Sequence, residues 1–311
     1  MEHIDTVSRN AVDTPRRRKP WLDVPLIAAI LVAFTSTVAA ADQSGQSTPS
    51  IAASPSPALL CAGGVGALVT RPTQTTTTCV VPLDHVLIET GMSTERVGDP
   101  GTAYAFSSYP SAEIRVGTAL RNVEVDIFPP TLFRSSGETA TGDTGAGLKM
   151  LFSETSAWAW GASISGTFPT GTNPAVAPHG LGSVNAGTAT FDLNAEGSLG
   201  PIFGFAATLG QQFDAAPTAG GGAQRYGSLV PSLELTAVLG GGMTAFAEGW
   251  TQSDGEGPAT GTHRWLDGGL QKDVRSMQFD LEYGFSNAIA PAPGAGRIAR
   301  RYLGFGISKL Y

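Results

Sequence analysis

The sequence predicts an all-β protein: a transmembrane antiparallel β-barrel of about twelve strands, with short periplasmic turns and long outer loops. Three observations predict it. Charged residues make up 14% of the chain, and glycine is abundant at 40 residues, whereas soluble domains carry about 25% charge. The 41% hydrophobic content is spread over alternate positions, with no later run of about 20 apolar residues that could span as a helix. Short and long connections alternate along the chain, as they do in outer-membrane barrels. A soluble, glycine-rich β protein is the competing reading.

The N-terminus has the order of an export signal. Arg16, Arg17, Arg18 and Lys19 precede an apolar stretch from Val24 to Phe34, and Ala39–Ala41 offers a small-residue cleavage site. Residues 1–41 are therefore read as a signal peptide. Its removal takes away five basic groups (Arg9, Arg16, Arg17, Arg18, Lys19) and four acidic ones (Glu2, Asp5, Asp13, Asp23), moving the net charge from −7 to −8. An acidic chain without a basic cluster excludes nucleic acid as a partner, because phosphate binding needs Lys and Arg on one surface.

Residues 42–82 are rich in Ser, Thr, Pro, Ala and Gly without sustained period. This composition predicts a flexible periplasmic leader, too short and plain for an energy-coupling plug domain. Its Cys61 and Cys79 are the two cysteines of the chain. An oxidising compartment favours a disulfide between them, with free thiols as the alternative.

The barrel is expected over residues 83–311. Strands are predicted near 83–93, 102–118, 121–129, 143–153, 156–168, 188–199, 201–213, 226–239, 243–252, 263–274, 276–287 and 300–311. The connections ALRN (119–122), ETSA (154–157), LGP (199–201), GGG (240–242) and VRS (274–276) are short. Between them lie longer polar stretches such as PTLFRSSGETATG and TGTNPAVAPHGLGSVNAG. An even strand count places both barrel ends on the short-turn side.

Alternation fixes which face points where. In MQFDLEYGF (277–285), Met277, Phe279, Leu281, Tyr283 and Phe285 share one parity, and Asp280 and Glu282 share the other. VEVDI (123–127) sets Glu124 and Asp126 between apolar neighbours in the same way. A charge at the lipid mid-depth costs about 2–4 kcal/mol for a basic residue, so the carboxylates are expected inside. Trp158, Phe168, Trp250, Trp265, Tyr283, Tyr302 and Tyr311 lie near strand ends, where interface girdles would sit. Two features resist the pattern. Pro231 falls inside a strand, and Phe246 and Trp250 share the parity of Glu248.

The final strand, RYLGFGISKLY, ends on Tyr311 and resembles the C-terminal signal read by the outer-membrane assembly machinery. Lys309 departs from its apolar parity, at a depth where an ammonium can snorkel.

RPTQTTTTCVVPLDHVLIETG, EIRVGTALRNVEVDI, GDTGAGLKMLF and WGASISGTFPTG follow one another here. In order and spacing they resemble the outer-membrane family associated with the MetA pathway of phenol degradation, over roughly residues 71–311. Arg115 and Gly117 match its R-x-G strand, Glu124 its acidic position after the turn, and Gly142, Asp143, Gly147 and Lys149 its G-D-x-x-x-G-x-K segment. The resemblance implies passive passage of small, aromatic or hydrophobic compounds across the outer membrane of a Gram-negative bacterium.

The register aims Glu113, Arg115, Glu124, Asp126, Lys149, Asp192, Glu196, Glu234, Asp280 and Glu282 inward. They can line an acidic path that disfavours anions, or pair with one another and fill a closed barrel. Arg115 with Glu124 or Asp126 is the obvious pair, and Arg115, Glu124 and Lys149 are the candidates for a functional lining. Expected partners are outer-membrane lipid and a small-molecule solute, with no cofactor. A structural or adhesive surface protein is one alternative. A barrel hydrolase is another, but His85, His179 and His263 lie in no serine-hydrolase setting. No zinc spacing, phosphate loop or dinucleotide fingerprint is present in the sequence.

Overall fold

The computed structural model describes residues 59–71, 73–98, 104–173, 182–183, 186–217, 223–254, 261–288 and 299–311. The expected signal peptide (1–41), the first part of the leader (42–58) and parts of the long connections lie outside them. Strands run in the order β1 (Val86–Val97), β2 (Tyr104–Gly117), β3 (Val123–Phe128), β4 (Leu132–Ser135), β5 (Glu138–Thr141), β6 (Thr144–Glu154) and β7 (Trp158–Phe168). Then follow β8 (Thr188–Ser198), β9 (Phe203–Pro217), β10 (Ala223–Gly240), β11 (Met243–Asp254), β12 (Gly261–Val274), β13 (Met277–Ala288) and β14 (Ala299–Leu310). Each pairs antiparallel with its neighbours, and β1 closes on β14 from Leu87↔Leu310 to Val97↔Arg300. Closure leaves no open edge, the condition for a sheet to cross lipid.

The fourteen strands form twelve staves. Ile114 faces Ile127 across β2 and β3 and, five residues on along each, Tyr109 faces Leu132 across β2 and β4. Phe128 faces Gly145 and, four residues on, Leu132 faces Thr141. β3 and β4 are thus one stave, and β5 and β6 its hairpin partner, each interrupted without loss of register. The cause is Pro129–Pro130, which has no N–H to give the ladder. Residues 110–113 of β2, beginning at Pro110, have no ladder partner on that side. The stretch 130–142, expected to be a long loop, is instead this interrupted hairpin, turning at Ser136 and Gly137, both with positive φ.

The two faces separate as the alternation requires. Leu281, Tyr283 and Phe285 are half exposed on the outer wall, while Asp280 (2%) and Glu282 (6%) are buried on the inner one. An apolar outer wall of this extent is stable only against lipid. A bulge between β1 and β2 at Gly91/Ser93 switches the inward parity of β2. Ser108 and Arg115 are both buried as a result.

The two resisting features find causes. Pro231 points outward, and the β10–β11 ladder skips Val230 and Pro231 before resuming in the same register at Ser232↔Trp250. Phe246 joins Glu248 on the buried inner face because this barrel's interior is packed rather than open. The packing comes from residues 59–82. A 3-10 turn (Leu60–Ala62) and a four-residue helix, α1 (Val65–Leu68), put Val65, Leu68, Val69, Cys79 and Val81 against Leu87 in a small apolar core at the short-turn end.

Candidate functional site

The segment expected to be a flexible leader is, over its described part, a plug seated in the lumen. A chain inside a barrel has no neighbouring strand to take its backbone N–H groups, and a buried N–H without a partner is costly. Here the inward carboxylates take them. Glu89 accepts from Thr70 N at 3.2 Å and Arg71 N at 3.0 Å. Glu248 accepts from Gln74 N at 2.8 Å and Thr75 N at 2.5 Å, and Glu124 from Val81 N at 2.5 Å. Glu196 accepts from Thr77 Oγ1 at 3.0 Å and Thr78 N at 3.3 Å. Thr75 Oγ1 also donates to Ser232 Oγ at 2.8 Å. Cys61 and Cys79 are joined at an S–S distance of 2.08 Å, tying the start of the plug to its end.

Arg115 is the central anchor. Its guanidinium is fully buried and donates to Glu124 Oε1 at 2.9 Å, Glu89 Oε1 at 3.0 Å, Cys79 O at 3.0 Å and Leu68 O. Asp126 stands 3.9 Å away. Lys149 faces Glu124 directly across β3 and β6 and reaches Glu124 Oε1 at 3.0 Å and Thr77 O at 3.2 Å. Planar bidentate donors suit such a cluster, and removing one partner of a buried pair strands the other's charge.

The structure therefore gathers Glu113, Arg115, Glu124, Asp126 and Lys149 into one network at the short-turn half. Glu113 joins it by accepting from Thr70 Oγ1 at 3.3 Å. Glu234 faces inward on β10, across the barrel from β2, and Asp280 and Glu282 face inward on β13, with Tyr302 Oη donating to Glu282 at 2.7 Å. Asp280 sits beside the Arg71 side chain, and both crowd the space over Gly306, where a Cβ would meet Asp280 Oδ2 at 2.3 Å and Arg71 Nε at 2.7 Å. Sequence reasoning missed Glu89 and Glu248 as lumen residues, and missed the Thr-rich run as their partner. The signal was present in the coincidence of inward carboxylates with a nearby segment rich in N–H and hydroxyl donors.

Three of the aromatics expected in interface girdles lie inside instead. Trp250 stacks on Trp265 with centroids 4.7 Å apart and planes 10° apart, and Trp265 lies 6.0 Å from Tyr302. Their parity, shared with Glu248, Asp267 and Gly304, decides this. On the outer wall near the short turns, Phe152 packs edge-on to Trp160 at 4.9 Å.

The plug leaves space on both sides. A cavity of about 200 Å³ is bordered by Arg71, Thr73, Gln74, Ser108, Trp250 and Tyr302. A second, of about 370 Å³, opens toward the short-turn end beside Thr73, Thr77, Glu196, Phe203 and Glu234. Thr73 borders both. Among the described residues, His85 stands at the short-turn end, its Nδ1 3.0 Å from Leu83 O, and His263 at the long-loop end. His179 lies outside the described residues.

No protein-family model matches the sequence, and no curated protein matches it. Solved structures do match in fold. A COG4313 outer membrane channel from Pseudomonas putida F1 aligns at a TM-score of 0.54 with 12% identity, over 77% of this chain and all (100%) of that one. The NanC porin aligns at 0.50 with 8% identity, over 71% of this chain and 98% of that one. At such identities the likeness is one of fold, that of an outer-membrane β-barrel.

Proposed function

We propose that the protein is an outer-membrane channel for passive passage of small compounds, with the 59–82 plug setting the bore. The observation that carries this reading is a pair of cavities beside the plug, both bordered by Thr73. The plug leaves these two cavities unfilled, and their borders carry carboxylates and hydroxyls. An acidic lining favours cations over anions. The fold of the COG4313 channel supports the reading, as does the resemblance to the MetA-pathway family. That resemblance points to aromatic or hydrophobic solutes as the class to try first.

Single-channel recording of the refolded mature chain in planar bilayers tests it. Small, discrete, cation-preferring current steps are expected, with partial block by one class of small aromatic solute. A correctly refolded, heat-modifiable barrel that passes no current would overturn the channel reading.

A further inference from the structure

Charge on the outer wall is one-sided. At the long-loop end, Arg96, Arg134, Arg264 and Arg301 are exposed and share the parity of the lipid-facing residues. Arg225 does so too, but its Nη1 donates to Gly187 O at 3.1 Å. At the short-turn end the charges on this face are Lys272, which donates to Gly241 O, and Lys309, which lies over the Tyr311 ring. Among the described side chains, no carboxylate of a strand shares the face. Even Glu138 is paired across β4 and β5 with the buried Ser135.

The densest part of this basic belt lies on β14, β1, β2 and β4. Arg301 stands directly opposite Arg96 across β14 and β1. Like charges so placed, with Cβ atoms about 4.5–5.5 Å apart, repel. Among the described residues, Arg96, Arg134 and Arg301 have no hydrogen-bond or ion-pair partner. Arg300 makes the contrast: it turns to the inner face and meets Glu95 Oε1 at 3.6 Å, whereas Arg301 turns outward and meets another arginine. One row toward the short turns, Thr94 faces Ser107 and Ser107 faces Arg134. The two hydroxyls lie 3.1 Å apart, so one of them keeps a proton to donate outward. The wall beside and below is apolar, with Phe285 next to Arg301 and Leu303 next to Thr94.

Snorkelling to water accounts for a single arginine at such a boundary. It does not account for two placed opposite each other on a face without an acid. An anion between them removes the repulsion, and guanidinium groups match phosphate oxygens two at a time. Because the patch is continuous with the lipid-facing wall, the anion that fits is a lipid headgroup, with its acyl chains against the apolar residues below. We propose that Arg96, Arg301 and Arg134, with Thr94 and Ser107, bind the phosphate of an anionic lipid of the outer leaflet, whose chains lie along Phe285 and Leu303. The site is on the outer wall and does not depend on what passes through the lumen.

Native mass spectrometry of the refolded mature chain in a neutral detergent tests it, with diphosphoryl lipid A, uncharged diacylglycerol and inorganic pyrophosphate added in turn. Lipid A should give saturable adducts and diacylglycerol should not. Arg96→Gln/Arg301→Gln should weaken lipid A binding roughly tenfold or more, and Arg134→Gln severalfold, while each barrel stays heat-modifiable. If the double variant fails to refold, Arg134→Gln carries the same test. Lys272→Gln/Lys309→Gln removes the same charge from the short-turn end and should leave lipid A binding unchanged. Equal loss in the arginine and lysine pairs would reduce the effect to net charge and overturn the proposal. Undiminished lipid A binding in the arginine variants, or diacylglycerol adducts as abundant as those of lipid A, would overturn it too. So would pyrophosphate adducts without lipid A adducts, which would make the patch a site for free phosphate.

Discussion

At the scale of single residues, one side chain carries a disproportionate share of the interior. Arg115 is the point where two carboxylates of the wall and two carbonyls of the plug meet. Arg115→Met keeps the volume but leaves Glu89 and Glu124 buried without their main counter-charge, a loss of about 3–5 kcal/mol by the usual cost of breaking a buried pair. Urea titration of the refolded protein, read by heat-modifiable mobility, should show the midpoint fall by a corresponding amount. Arg115→Lys should recover only part, because one ammonium cannot reproduce the planar fork. An unchanged midpoint in Arg115→Met would mean that the network contributes nothing net. The inward direction of Arg115, Glu124, Asp126 and Lys149 was legible from alternation alone, and so was a pairing of Arg115 with Glu124 or Asp126, of which Glu124 makes the hydrogen bond. Their partners were not. Nothing in the period of two tells whether an inward carboxylate meets water, another stave or a segment threaded from the N-terminus.

At the scale of elements, the staves were legible and the plug was not. The short turns betrayed the strands, and each predicted segment overlaps an observed one. The exception is the interrupted hairpin, where Pro129–Pro130 reads as a loop signal yet the ladder resumes in register beyond it. The plug escaped notice for a different reason. Thr-, Gly- and Ala-rich sequence buries too little apolar surface to fold by itself, and it becomes ordered here only because the wall supplies both acceptors and a small core at Val65, Leu68 and Leu87. The Cys61–Cys79 bond closes that segment on itself. In the entropic picture a loop of about 15 residues gains about 3 kcal/mol from such closure. The double variant Cys61→Ser/Cys79→Ser should therefore keep a heat-modifiable barrel but loosen its plug. Limited proteolysis should cut between residues 59 and 82 faster than in the native chain, and unitary current should rise. Equal cutting rates would show that the wall contacts alone hold the segment.

At the scale of the whole molecule, a closed apolar exterior surrounds a charged interior in which residues 59–82 are seated. The barrel fold follows from low charge, alternation and connection lengths. The two cavities beside Thr73, on which the proposed passage depends, follow from no local pattern. The central claim is that residues 59–82 are seated in the lumen, and it is most directly tested where Thr75 Oγ1 and Ser232 Oγ stand 2.8 Å apart. Thr75→Cys/Ser232→Cys, refolded under oxidising conditions and mapped by peptide mass spectrometry, should yield a 75–232 cross-link alongside the native 61–79 pair. A properly folded barrel with the 61–79 bond intact and no 75–232 cross-link would contradict the seated plug, and with it the account of the inward carboxylates.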